Sequence, residues 1–257
     1  TQGYSSAASD VYKRQVSVTG FILSSMPVGD YDRRVVILSR ELGKIAAFAK
    51  GARRPNSHLI GVTRPFIFGT FEVYRGRDSY TIQKANVTNY FEELVSDLDG
   101  VLYGYYFAEL AEYYGRENLD AADMINLLYV AFKALVNKSL PNELVRYIYE
   151  IRLIAVNGEC PDFFSCAGCG SEKELQLYSY KENGMYCVEC AASSGDGIVL
   201  QSSTLYTLQY IITAPLTKLF NFVVKADVLN ELKKVVNRIE FITFDKHFKS
   251  KEMLDIG

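Results

Sequence analysis

The sequence predicts an α+β protein of several domains, in which a five-stranded β-barrel comes first and an α-helical domain carrying a four-cysteine module follows. Three observations support this reading. Residues 16–90 consist of short β-rich runs divided by turn residues; after about Phe91 the apolar period lengthens to that of a helix; and two Cys-x-x-Cys pairs interrupt the helical pattern between residues 160 and 198. At 257 residues the chain has room for two domains, or three small ones.

Residues 1–15, TQGYSSAASDVYKRQ, show no sustained period and are set aside as a disordered tail outside the fold. VSVTGFILSS from Val16, RRVVILSR from Arg33, KIAAFAK from Lys44, PFIFGTFEVYR from Pro65 and YTIQKANV from Tyr80 read as five strands. Gly29-Asp30, Glu41-Leu42-Gly43 and the stretch from Arg75 to Asp78 supply turns, and a longer loop from Gly51 to Arg64 separates the third strand from the fourth. Five short antiparallel strands with apolar runs suit a small closed barrel, because closure leaves no exposed edge. The OB-fold is the architecture that answers this description.

In residues 91–159 the helical period is marked first by Leu98, Leu102, Tyr105, Tyr106, Glu109, Leu110 and Tyr113, ending near Gly115. A second helix is predicted from Ala121 to Val136, with Ile125, Leu128, Tyr129, Phe132 and Leu135 on one stripe. A third follows Pro141, from Asn142 to Val156, and Gly158 stops it. In residues 199–257 two more are expected, around Ser203 to Ile212 and from Asp227 to about Ile242, packing on the helical domain. Short connections make these helices antiparallel neighbours, so their Tyr and Leu stripes read as core.

The module at residues 160–198 contains CAGC at Cys166 to Cys169 and CVEC at Cys187 to Cys190, with the seventeen residues Gly170 to Tyr186 between the pairs. Each pair offers two thiolates from a tight turn, and a hairpin between them brings the pairs together, which is the pattern of a tetrahedral zinc site. Two disulfides or reduced bystanders are the alternatives. Disulfide scaffolds belong to small secreted domains, whereas this chain can bury a core unaided and displays no signal peptide. Four thiolates would close the metal's coordination shell, and the two histidines, His58 and His247, lie far away in sequence. The site therefore reads as structural, with an apparent binding energy of roughly 10–16 kcal/mol acting as folding energy. Cys160, beside Pro161 and outside both pairs, reads as a packed or free thiol. Lys173 and Lys181 stand against Glu172, Glu174, Glu182 and Glu189, a balance poorly suited to phosphate.

The net charge of -2 conceals strong segregation. Between Arg33 and Lys84 there are eleven Lys and Arg against Glu41, Glu72 and Asp78, whereas from Glu92 to Asp123 nine acids face Arg116 alone. Such asymmetry points to a partner-binding face. No run reaches the length of a membrane span, so a cytoplasmic protein with no membrane partner is expected. There is no phosphate-binding Gly-x-x-x-x-Gly-Lys-Ser/Thr loop, no His-Glu-x-x-His and no Gly-x-Ser-x-Gly, so no active site and no small-molecule substrate are read. On the third strand Lys44, Ala46, Phe48 and Lys50 share one face, placing an aromatic between two cations, and Arg53-Arg54 follows. Cations along phosphates with aromatic faces under bases are how single-stranded nucleic acid is bound. Arg33, Arg34 and Arg40 on the preceding strand and Arg75 and Arg77 at the fourth turn extend the track. Phe48 filling the barrel, and cations that merely solvate a face, are the plainer alternatives. Phe66 and Phe68 are weaker candidates, equally explained by packing.

GDYDRRVVILSRELGKIAAFAKGARRP from Gly29 to Pro55, followed by RPFIFGTFEVYRGR, resembles the amino-terminal barrel of the bacterial DNA repair protein RecO family. YEIRLIAVNGECPDFFSCAGCG and then CVEC are similar, in the same order, to the family's helix, Gly-x-x-Pro turn and zinc module; the likeness spans roughly Val16 to Ile242. The resemblance implies a non-catalytic, nucleoid-associated recombination mediator that binds single- and double-stranded DNA and anneals complementary strands. It further implies action with RecR, contact with the acidic tail of single-stranded DNA-binding protein, and help in loading the RecA recombinase. The family-like basic positions are Arg33, Arg34, Arg40, Lys44, Lys50, Arg53, Arg54, Arg75 and Arg77. For the acidic tail, expected on the helical domain, the candidates are Lys133, Arg146 and Arg152. Two rival readings are a non-catalytic protein–protein adaptor whose basic barrel binds acidic partners, and a redox enzyme using the cysteines.

Overall fold

The computed structural model describes residues 15–77, 79–192 and 196–256. The chain forms two compact units: Thr1–Phe132 with Phe248–Gly257, and Lys133–His247. The expected tail thus lies outside the described residues apart from Gln15, which opens the first strand.

In the first unit, β1 (Gln15–Val28), β2 (Asp32–Ser39), β3 (Gly43–Ala49), β4 (Phe68–Arg75) and β5 (Tyr80–Asn89) close into a barrel in the order β1-β2-β3-β5-β4. This is the OB-like barrel predicted, with one correction. Five strands in a closed ring cannot alternate in direction all the way round, and the exception is the β3–β5 pair, which is parallel through Ala47 opposite Tyr80 and Phe48 opposite Thr81. Along β3, Ile45, Ala47 and Ala49 point inward, joining Val18, Ile22, Val35, Ile37, Phe71, Val73 and Ile82 in the barrel core. Lys44, Ala46 and Phe48 take the outer face. Phe48 is therefore not a barrel filler.

Three helices follow: α1 (Glu92–Ser96), α2 (Gly100–Tyr114) and α3 (Ala122–Asn137), the last crossing the boundary between the units. Within the first unit an aromatic cluster fastens helices to barrel. Phe21 lies 4.8 Å from Phe68 and 5.4 Å from Phe132, Phe66 lies 4.8 Å from Tyr105 and 5.2 Å from Phe132, and Phe68 lies 5.1 Å from Tyr129. Phe66 and Phe68 are thus packing residues. Gly43 sits at the β2–β3 turn with φ +64°, and a Cβ there would come within 2.1 Å of the Arg116 carbonyl oxygen, so only glycine fits where this turn meets the segment after α2. A final helix, α8 (Lys249–Ile256), belongs to the same unit: Phe248 is buried beside Tyr106 and Tyr113, and the Ser250 N–H donates to Glu109 Oε2 at 3.1 Å.

The second unit is built round α4 (Asn142–Val156), whose side chains are buried nearly all round. It packs against α6 (Ser202–Thr213) and α7 (Ala226–Thr243). Between α4 and α6 the chain forms a small sheet, β6 (Leu175–Ser179), β7 (Gly184–Cys187) and β8 (Gly197–Val199), in the order β7-β6-β8, with the single turn α5 (Val188–Ala191). The predicted cysteine hairpin is β6–β7, and β8 extends it. No helix among the described residues is long and apolar enough to cross a membrane.

Candidate metal centre and nucleic-acid interface

The four cysteines come together in the second unit. Cys166 and Cys169 flank a turn closed by the Gly170 N–H donating to the Cys166 carbonyl at 2.8 Å; Cys187 ends β7 and Cys190 lies in α5. The Ala167 N–H donates to the Met185 carbonyl at 2.8 Å, which ties this turn to the hairpin. Gly168 allows the close approach, since a Cβ there would meet Tyr186 at 2.9 Å and the Cys190 sulfur at 3.1 Å. All four sulfurs lie within 4.8 Å of one another, and those of Cys169 and Cys187 are 3.7 Å apart. Metal–sulfur bonds of about 2.3 Å in a tetrahedron space the sulfurs about 3.8 Å apart, so the cage can hold such an ion. Burial opposes ionisation of Cys166, but N–H groups of Cys187, Cys169 and Gly168 aimed at its sulfur prevail and bring it down to about 6. Cys190, hydrogen-bonded with Cys169 and crowded by Cys187 and Cys166, is pushed up to about 12. Crowded thiols keep such protons unless a cation replaces them. Cys160 stands apart, half-buried, and burial reinforced by Asp162 pushes its thiol up to about 12.

The predicted basic residues divide between opposite ends of the barrel. Strand register sets Val28 opposite Asp32 and Arg33 opposite Ala49, so the 29–31 turn and the start of the 50–67 loop share one end; β4 runs antiparallel to β1, with Tyr74 opposite Gln15, which carries the β4–β5 turn away from that end. Arg33, Arg34, Phe48, Lys50, Arg53 and Arg54 belong to the end with the 29–31 turn, whereas Arg75 and Arg77 lie at the β4–β5 turn beside Tyr80, whose hydroxyl donates to Glu117 Oε1 at 3.3 Å. Arg34, Lys50, Arg53, Arg54, Arg75 and Arg77 are exposed, and so is Arg64, which the sequence reading left out because the 51–67 loop has no period to assign a face. Asp30 is an exposed acid in the adjoining turn; Asp32 is engaged, accepting from the Gly51 N–H at 2.7 Å. The Arg53 N–H donates to the Tyr31 carbonyl at 2.8 Å, its guanidinium donates to the Gly29 carbonyl at 3.1 Å, and the Arg54 guanidinium lies 5.0 Å from the Tyr31 ring centroid. Arg33 serves as a strut, donating to the Ile60 carbonyl at 3.1 Å and to buried Thr63 Oγ1 at 3.0 Å. Burial, then the charges of Arg64 and Arg53, lower the Arg33 pKa, so these three guanidinium groups act on one another at this end.

Arg40 and Lys44 lie at the other end, where Ser39 pairs with Gly43. Arg40 donates to Asn126 Oδ1 at 3.0 Å, and Lys44 Nζ donates to the Glu112 carbonyl at 2.7 Å in the last turn of α2. The expectation of one continuous track through these two is therefore corrected: the fold uses them to seat helices. The tail-binding candidates change likewise. Lys133 is exposed, but Arg146 is buried against Glu150 at 2.7 Å and Glu240 at 3.9 Å, and Arg152 donates to the Ile211 carbonyl at 3.1 Å and to that of Ile212. Both arginines answer polar groups inside the unit, which helical spacing alone does not reveal. The second unit does hold a cavity of about 510 Å³, lined by Tyr206, Tyr210, Phe222, Val223 and Lys225, among others including Asp227.

Comparison with known proteins accords with this arrangement. Residues 14–91 match the family model described as Recombination protein O N terminal, and residues 95–252 match Recombination protein O C terminal. DNA repair protein RecO of Acetivibrio thermocellus is 30% identical over 244 residues, covering 93% of this chain and 96% of the relative. Proteins of the same name from Alkaliphilus metalliredigens and Bacillus subtilis are each 27% identical, covering 93% and 92% of this chain and 98% and 92% of theirs. With both halves matched in order over a barrel, a helical region and a four-cysteine cage, the chain belongs to the Recombination protein O family, whose role is in DNA repair and recombination.

Proposed function

We propose that this chain is a non-catalytic mediator of homologous recombination that captures single- and double-stranded DNA on the basic end of its barrel. The observation that carries the reading is the gathering of five exposed cations, Arg34, Lys50, Arg53, Arg54 and Arg64, round the 29–31 turn and the 50–67 loop at one end of an OB-like barrel. OB barrels commonly bind nucleic acid at this kind of loop-rimmed face. From capture follow the finer roles: annealing of complementary strands, action with RecR, and help in loading RecA onto DNA covered by single-stranded DNA-binding protein. An acidic tail of that protein would find Lys225 beside the aromatic cavity of the second unit, in place of Arg146 and Arg152. The four-cysteine cage is assigned to one structural zinc, because four thiolates at tetrahedral spacing close its shell and leave no position for a reacting water.

Reversing the charge of Arg53 and Arg54 together tests the reading. Each lost phosphate contact flattens the dependence of log affinity on log salt by about 0.7 for a single strand. The double variant is expected to lose affinity and about 1.4 of that slope. Unchanged affinity and slope would remove the basic end as the DNA site. Equal affinity for heparin and oligonucleotides with no annealing would favour the adaptor instead.

A further inference from the structure

We infer that the β1–β2 hairpin carries a nucleobase-stacking site centred on Tyr31, which gives the basic end its preference for unpaired strands over duplex. The inference rests on the DNA-binding reading and deepens it. Cations alone hold phosphates of either form, and selectivity for a single strand needs open aromatic or apolar faces to receive bases that are free to leave their stack. Tyr31 meets that need. It is 50% exposed at the hairpin tip, and Arg54 stands against its ring with the guanidinium 5.0 Å from the centroid. A base laid on the open part of the ring would thus meet a surface flanked by a cation suited to its phosphate.

The hairpin is held in place for this. The Tyr31 carbonyl accepts the Arg53 N–H at 2.8 Å, the Gly29 carbonyl accepts the Arg53 guanidinium at 3.1 Å, and Asp32 Oδ1 accepts the Gly51 N–H at 2.7 Å. A stacking ring fixed by backbone bonds loses little further freedom on binding. The apolar surface continues from the tip along the outer face of the barrel. Met26, 58% exposed, pairs across to Arg34, and Arg34 pairs across to half-buried Phe48, so one cation lies between two apolar side chains in a single cross-strand row. Met26 and Tyr31 are exposed among arginines, and the surrounding charge selects a polyanion with flat apolar groups.

The sequence contains no tryptophan, so Tyr31→Trp introduces a single fluorophore at the tip. Binding of oligothymidylate to this variant is expected to quench its indole emission, whereas a blunt duplex of equal length leaves it nearly unchanged. In parallel, Tyr31→Ala is expected to weaken oligothymidylate binding roughly tenfold while duplex binding stays within about twofold. An oligothymidylate that binds the Tyr31→Trp variant without quenching the indole, or an equal loss for both DNA forms in Tyr31→Ala, would overturn the site. The Arg53 and Arg54 reversal separates the two levels. If it abolishes binding of both forms while Tyr31→Ala changes neither, the stacking site is wrong and the DNA reading stands; if it changes neither form, the DNA reading fails and takes the site with it.

Discussion

Glu150 is fully buried in α4, and a second carboxylate lies near it. Arg146 bonds it at 2.7 Å, but Glu240 from α7 shares the same guanidinium at 3.9 Å, so one buried cation serves two carboxylates. Burial first, and then the neighbouring Glu240, raise the Glu150 pKa well above its ordinary value of 4.5, while Arg146 pulls the other way. The pair is best described as holding one proton between them. Because the folded pKa is raised, the folded state binds this proton more tightly than the unfolded chain does. Its stabilising contribution is complete below the unfolded carboxylate value and is lost as pH climbs towards the folded one. Glu150→Gln keeps the shape and removes the titration. It is expected to gain stability relative to the parent chain as pH rises from about 5 to about 8, in denaturant unfolding measured across that range. A constant difference between the two proteins over the whole range would contradict a shared proton. The sequence did not disclose this triad. Arg146 and Glu150 are spaced like an ordinary surface ion pair four residues apart, and only the packing of α7 against α4 turns that spacing into an interior network.

At the scale of elements, what was legible followed period and length. The five strands and five longer helices each contain at least one full repeat of their apolar pattern, and the structure places each within a few residues of its expected bounds. By contrast α1 and α5 are single turns, β8 has three residues, and α8 follows a mixed polar stretch, so none has a pattern long enough to read. The same limit explains Lys44. Its place on the outer face of β3 was correctly read from the period of two, but what covers that face depends on where α2 ends. The helix ends there with carbonyls lacking partners inside the helix, and Lys44 supplies a charged donor to one of them. Lys44→Met keeps the packed stem and removes the donor. It is expected to cost about 1 kcal/mol, or about 2–4 °C in melting temperature, while oligonucleotide affinity and its salt slope stay nearly unchanged. A drop in salt slope as large as that for Arg53 would return Lys44 to the DNA-binding surface.

For the whole molecule, chemistry and charge are divided between two units. The positive excess lies on the barrel of the first, whereas the four-cysteine cage lies in the second. Spacing alone was enough to identify the cage, since no other feature brings thiols together in this way, but a four-cysteine module by itself also suggests a DNA-reading finger. Its surroundings argue otherwise: Glu172, Glu174 and Glu189 are exposed beside it, and phosphate would meet like charge. Metal removal should therefore affect stability and DNA binding separately. Chelation, or Cys187→Ser with Cys190→Ser, leaves crowded thiols or hydroxyls in place of metal bonds that contribute folding energy. Amide hydrogen exchange is expected to rise across residues 160–200 and the helices packed on them, with the barrel strands still protected and oligonucleotide affinity within about twofold. Each chain should release one zinc on loss of the cage. If metal-free protein kept its protection and melting temperature but no longer bound DNA, the cage would be part of the nucleic-acid surface, and the basic end of the barrel could not be the whole of it.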